Sequence, residues 1–162
     1  MGEIRLTHGK VLIIISKYYK DISENLLKSA EKFLKNKSII YDITEVPGAL
    51  EIPQVLNFNG NLSKNKNFDY RGFIALGCII KGETYHFEIV SNETNRGLMN
   101  VAIKYSFPLG NGVITAYNYE QALKRSFDKG EEAALACYEL MKIKNHNYHV
   151  DKDWLIILDI NL

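Results

Sequence analysis

Cysteine is scarce here: in 162 residues there are only Cys78 and Cys137. A disulfide framework is excluded, and such sparse usage is expected where thiols stay reduced. Long apolar runs are missing too. No segment approaches the roughly 20 apolar residues that a membrane helix needs. The start, MGEIRLTHGKVLIIIS, has one short apolar run and no small-residue cleavage site, so a soluble, cytosolic chain is expected. An excess of one charge is also absent: Lys plus Arg is 20 against 19 Asp plus Glu, a formal net charge of +1. That balance lacks the basic footprint of a nucleic-acid binder. Asn-x-Ser/Thr triplets at Asn36, Asn61 and Asn92 carry no weight outside a secreted chain. The Walker phosphate loop, GxGxxG, HExxH and GxSxG are all missing, which removes the commonest nucleotide, zinc-protease and serine-hydrolase readings. No grouping of His, Cys, Asp and Glu has metal-ligand spacing. There is no internal repeat and no long low-complexity tract.

What is present is enough apolar residue, 46%, for one domain with a core that needs neither metal nor disulfide. Val11 to Ser16, VLIIIS, is a continuous β-branched and aliphatic run, as expected for a strand covered on both faces. The following DISENLLKSAEKFLKN places Ile22, Leu26, Leu27, Ala30, Phe33 and Leu34 at helical spacing, with Asp21 and Glu24 arranged as a capping box. SIIYDITEV, Ser38 to Val46, reads as a second strand stopped by Pro47 and Gly48. ALEIPQVL then starts a helix, with Pro53 tolerated in its first turn. Asn57 to Arg71, polar and without period, reads as a surface connection. Gly72 to Ile80 is a third strand, Tyr85 to Tyr105 a long helix, and Gly112 to Ala116 a fourth strand. YEQALKRS and KGEEAALACYELMKIK read as two closing helices joined by a short linker, Ser126 to Asp128. In the tail after residue 144, WLIILDI looks like an extra strand at an edge or between subunits. Strands alternating with helices predict an α/β domain over residues 1–144, a three-layer α/β/α sandwich with a four-stranded parallel sheet. Ligands of such sheets sit outside the carboxyl ends of the strands.

That rule directs attention to a few places. Lys81-Gly82-Glu83-Thr84 lies between a strand and a helix, where backbone N–H groups can converge on an anion and Gly82 permits close approach. The alternative there is ordinary capping by Thr84. His86 falls in the first helical turn, where the positive helix end favours a neutral imidazole able to act as a base; a partly exposed helix histidine is the plainer reading. His8, His146 and His149 lie near the chain ends and have no such setting. Tyr18 and Tyr19 can stack on a flat heterocycle or simply pack over the sheet edge. Glu51 can accept hydrogen bonds from a polyol or serve a helix start. Arg125 and Lys129 can reach a phosphate or be merely solvated. Cys78 and Cys137 read as core residues with raised thiol pKa values.

In order along the chain, VPGALEIP (Val46 to Pro53), GCIIKGETYHFEIVSNE (Gly77 to Glu93), GVITAYNYEQALKR (Gly112 to Arg125) and DKGEEAA (Asp128 to Ala134) closely resemble the lumazine synthases of riboflavin biosynthesis. The resemblance covers about Val11 to Lys144 and implies a flavodoxin-like fold. It implies condensation of 5-amino-6-(ribitylamino)uracil with 3,4-dihydroxy-2-butanone 4-phosphate to 6,7-dimethyl-8-ribityllumazine, phosphate and water, with no redox or metal cofactor. By the family's pattern, Tyr18 stacks on the pyrimidine, and Ala49, Leu50 and Glu51 meet the ribityl chain. Ile79, Ile80 and Lys81 line the ring edge with backbone groups. Gly82, Glu83 and Thr84 hold the phosphate with Arg125, and His86 moves protons. The resemblance further implies a homopentamer whose sites lie between subunits, so that Asn111, Arg125 and Lys129 come from the adjacent chain, and riboflavin synthase as a candidate partner. Asn111 stands where many members carry an aromatic, Tyr19 replaces a frequent Asn, and the Ser126 to Asp128 linker is short. Aromatic-Tyr and Gly-Asn-Gly versions occur in a branch that looks pentameric rather than shell-forming. The tail over residues 145–162 has no counterpart in the pattern. A non-catalytic flavin or lumazine binder would not need His86 and the phosphate residues, and a generic phosphate-binding module would not explain VPGALEIP.

Overall fold

The computed structural model describes residues 9–65 and 67–159, with 146–159 described by backbone alone. Strand β1 (Lys10–Ser16) is buried from Val11 onward, and its side chains alternate between two cores. Val11, Ile13 and Ile15 join one, and Leu12 and Ile14 the other. A fully buried aliphatic side chain stabilises the fold by about 1.5–3 kcal/mol, so a run of isoleucines demands cover on both faces. Strands β2 (Tyr41–Val46), β3 (Tyr70–Ile80) and β4 (Leu109–Ala116) complete a sheet in the order β2-β1-β3-β4, with every pairing parallel. Helices α1 (Lys20–Asn36) and α4 (Tyr119–Asp159) cover one face. Helices α2 (Ile52–Leu62) and α3 (His86–Tyr105) cover the other. The expected three-layer sandwich is thus the observed fold, with the strand order of flavodoxin-like sheets. The first crossover runs outward from β1 to β2 and the next returns to the other side, so the switch point lies between β1 and β3.

Several local expectations are corrected. The capping box does not form: α1 begins at Lys20, its N-cap is Tyr19, and no side chain caps it. Asp21 instead accepts a hydrogen bond from the Tyr119 hydroxyl, which holds its carboxyl below the usual range. The strand boundaries move as well, with β2 starting only at Tyr41, β3 already at Tyr70 and β4 at Leu109. The stretch read as a connection from Asn57 is helical through Leu62. Its Gly60 is buried against α3, where a Cβ would come within 2.3 Å of the Tyr105 ring. Helix-on-helix packing therefore outweighs the weak helix preference of asparagine and glycine.

The two closing helices are one. Helix α4 runs through Ser126, Phe127 and Asp128 without a break. Ser126 is fully buried, its hydroxyl donating to Leu123 O at 2.7 Å and accepting from Asn25 Nδ2 at 3.0 Å. Gly130 lets α1 and α4 cross closely, since a Cβ there would lie 1.9 Å from Leu26 O. That glycine serves contact rather than a turn. The tail read as an extra strand is corrected too: 154–159 continue α4, while Ile160 falls outside the described residues. A short apolar run reads equally as strand or helix by period, and no Gly or Pro stands between Gly130 and the end of the chain to stop the helix.

Candidate active site

A cavity of about 400 Å³ opens at the carboxyl ends of β1, β2 and β3, at the switch point. Three chain segments and one helix build it. The turn after β1 contributes Tyr18 and Tyr19, whose rings meet edge to face with centroids 5.1 Å apart. Tyr18 is 74% exposed, which leaves a bare aromatic face at the rim. Burial raises the Tyr19 hydroxyl pKa, helped by Cys78 and Tyr18, so it stays a protonated donor. The turn after β2 contributes Gly48, Ala49, Leu50 and Glu51. Pro47-Gly48 ends the strand, and a short 3-10 turn over Ala49–Glu51 leads into α2. A Cβ on Gly48 would lie 2.8 Å from Glu51 Oε2, so the glycine leaves room for that carboxylate.

The end of β3 supplies Cys78, Ile79 and Ile80 to the wall. The Cys78 thiol is pushed up to about 12 by burial, as is Cys137, so both are inert neutral groups, as the sequence reading expected. Gly82, Thr84 and His86 line the far side. Thr84 does not cap α3: the N-cap is Tyr85, and no side chain bonds the helix start. The first-turn N–H groups are thus free of side-chain caps on the side of the exposed 82–86 stretch, where the helix end carries partial positive charge. A Cβ at Gly82 would meet nothing within 4 Å.

Lys81 borders the cavity without lining it. Its backbone N–H donates to Ala116 O at 2.9 Å, tying the loop to β4. Its ammonium lies 3.3 Å from Glu88 Oε1 and 5.7 Å from the Tyr117 ring centre. Glu83 also lies outside the lining. Asn111, Arg125 and Lys129 are elsewhere on this chain. Asn111 sits on β4 with its amide engaged, Nδ2 donating to Asn95 Oδ1 at 2.7 Å and Oδ1 accepting from Val113 N at 3.0 Å. Arg125 and Lys129 sit on α4 and share Glu132, at 3.8 and 3.2 Å. Among the described residues lining the cavity there is no lysine or arginine. Sequence reasoning missed Phe87 and Val90, which wall the cavity from α3. The signal existed, since residues 86, 87 and 90 fall on one face of a helix that starts at His86.

The strand order and a cavity at the switch point place the chain in the flavodoxin-like class of α/β proteins. Within that class the chain belongs to the 6,7-dimethyl-8-ribityllumazine synthase family, whose model matches residues 8–145. It is 43% identical over 143 residues to the 6,7-dimethyl-8-ribityllumazine synthase of Afipia carboxidovorans, covering 86% of this chain and 88% of that protein. The enzyme of that name from Agrobacterium fabrum is 43% identical over 138 residues, covering 83% and 93%. The 6,7-dimethyl-8-ribityllumazine synthase 1 of Rhizobium meliloti is 40% identical over 148 residues, covering 89% and 95%. None of the helices in the described residues is long and apolar enough to cross a membrane.

Proposed function

We propose that this chain condenses 5-amino-6-(D-ribitylamino)uracil with 3,4-dihydroxy-2-butanone 4-phosphate, releasing 6,7-dimethyl-8-ribityllumazine, phosphate and two molecules of water, as a transferase of riboflavin biosynthesis in the cytoplasm. The observation that carries this reading is the convergence of Tyr18, Ala49 to Glu51, Ile79, Ile80, Gly82, Thr84 and His86 on one cavity. The uracil ring stacks on Tyr18, and its polar edge meets the backbone of residues 79–81. The ribityl hydroxyls reach the 3-10 turn, where Glu51 accepts hydrogen bonds. The phosphate rests on the N–H groups of residues 82–84.

The uracil amine attacks the ketone, and one water leaves as the imine forms. Phosphate is then eliminated, and the rearranged side chain closes on the ribitylamino nitrogen with loss of the second water. His86 carries protons between these steps, a role that suits a group in the first turn of α3 beside the leaving phosphate. Positioning two substrates in one cavity contributes alongside it. The phosphate needs a cation, and the lining supplies none. We assign that charge to Arg125 of a neighbouring chain, with Lys129 and Asn111 beside it, in a homopentamer. Riboflavin synthase is the candidate consumer of the product.

The test mixes purified protein with both substrates and follows lumazine fluorescence against the spontaneous reaction. Acceleration is expected; its absence in folded, assembled protein overturns the proposal. Sedimentation velocity reads the assembly, and an active monomer would overturn the shared site.

A further inference from the structure

We propose that Glu88 sets how tightly the cradle of residues 82–84 holds a phosphate, by keeping the Lys81 ammonium on itself; the inference rests on the reading above that the cradle seats one. Lys81 immediately precedes the cradle. Its backbone is anchored, the N–H donating to Ala116 O at 2.9 Å. Its side chain is 45% exposed and leans on two groups, Glu88 Oε1 at 3.3 Å and the Tyr117 ring, whose centre is 5.7 Å from the ammonium. That ring is itself 72% exposed. The four-carbon stem can therefore turn while the backbone stays in place, and an anion on the next three residues lies on the same stretch of chain. Glu88 stands past the other end of the cradle, in the first turn of α3, so the ion pair spans the loop.

Glu88 is the more constrained partner. Its Oε2 is buried and has no hydrogen-bond partner among the described residues, where Lys81 is also its one salt-bridge partner. A carboxylate placed this way depends on that ammonium to offset its lost hydration. When Lys81 turns to an anion in the cradle, Glu88 loses its counter-charge, and the cost is subtracted from the binding of the anion. Glu88 also sets a negative charge at the helix start, where a phosphate draws on the same partial positive charge. Both effects loosen the cradle. The proposed reaction has a use for that: phosphate enters as an ester and must leave as the free ion, and a carboxylate that takes the ammonium back favours its departure. Glu88 is thus a positioning residue that acts through Lys81, while Arg125 of the neighbouring chain keeps the part assigned to it above.

The test compares the full-length protein with Glu88→Gln, Lys81→Met and the double variant. Titration calorimetry reads the binding of inorganic phosphate at low salt, and initial rates read KM and kcat for the butanone phosphate. Glu88→Gln keeps the shape of the side chain and is expected to bind phosphate roughly two- to fivefold tighter, the range of a half-exposed ion pair. KM for the butanone phosphate should fall by a similar factor with no rise in kcat, because ester and transition state gain alike. In the Lys81→Met background the same change to glutamine should do nothing. Phosphate binding that is unchanged or weaker in Glu88→Gln overturns the inference, since the pair then only braces the loop. A gain that survives Lys81→Met overturns it too, because the carboxylate then repels phosphate directly. A protein that does not accelerate the condensation, yet gains phosphate affinity in Glu88→Gln only when Lys81 is present, overturns the proposed reaction and upholds the inference.

Discussion

Replacing Gly82 by alanine separates two needs for a glycine. Gly82 is not in the left-handed region, where Gly9 is the only glycine among the described residues, and a Cβ there meets nothing within 4 Å. Within one subunit the change should be harmless or should stabilise the fold by about 0.4–1 kcal/mol, because alanine restricts the unfolded chain. The cost should appear only with substrate. If the backbone of residues 82–84 approaches the phosphate, a methyl group in that path weakens charge-assisted hydrogen bonds worth about 1.5–3 kcal/mol. At 1.4 kcal/mol per factor of ten, that is a rise of roughly ten- to a hundredfold in KM for the butanone phosphate. KM for the ribitylaminouracil should hardly move. Initial rates by lumazine fluorescence and urea unfolding on the same preparation read both effects. Gly130→Ala is the opposite control: its Cβ would sit 1.9 Å from Leu26 O, so stability should fall while KM per folded molecule is retained. Unchanged kinetics in a folded Gly82→Ala enzyme would refute the backbone cradle. A loss of stability would show that the loop packs more tightly than the structure has it.

His86→Ala should slow turnover by up to roughly 10²–10⁴ without abolishing it, since positioning survives; stopped-flow single turnovers that match the unmodified rate would remove His86 from proton transfer. Mixing His86→Ala with Arg125→Ala subunits during refolding should restore activity, because some sites then pair an intact His86 with an intact Arg125 of the next chain. Strict additivity of the two inactive parents in that mixture would place both residues in one subunit. Burial pushes Cys137 up to about 12, so above the ordinary thiol pKa the unfolded chain releases a proton that the folded chain keeps. Stability should therefore fall by about 1.4 kcal/mol per pH unit between about pH 9 and 12 for this group, and Cys137→Ala should flatten that slope in urea titrations. Phe73 is fully buried, with its ring 4.4 Å from that of Phe107; Phe73→Ala should cost about 3–5 kcal/mol by urea unfolding, at the end of the sheet away from the cavity.

The sheet was legible because VLIIIS and GFIALGCII tolerate no exposure, and the helix faces because Ile22, Leu26, Ala30 and Leu34 keep a spacing that the core respects. The places where reading failed have one physical cause. Ser126 stands in the stretch read as a linker and Gly60 in the one read as a connection, and each is a contact point between two helices that only the assembled fold brings together. Asp21 has the residue type of a cap, but its carboxylate finds Tyr119, which is distant in sequence. For the site, the strand-end rule located Tyr18, Glu51, Gly82, Thr84 and His86 without knowledge of any ligand. Phe87 and Val90 were hidden among ordinary apolar helix residues, because a wall of a cavity and a wall of a core have the same composition.

Charge is the ground for the proposal that those residues make only part of a site. The lining holds a carboxylate, Glu51, and an imidazole, His86, but neither ammonium nor guanidinium. A phosphomonoester brings a charge of about −1.5 to −2 near pH 7, and a helix start offers only about half a positive charge. Lys81, at the cavity border, already faces Glu88. On α4, by contrast, Arg125 and Lys129 both reach the one carboxylate of Glu132, so neither has that partner to itself. The lining lacks a cation where the proposed reading seats the phosphate, while α4 presents a guanidinium and an ammonium on one shared partner. In the proposed homopentamer, Arg125 of one copy set against the cavity of its neighbour supplies the charge that the lining lacks, and a monomer is then expected to bind the butanone phosphate weakly.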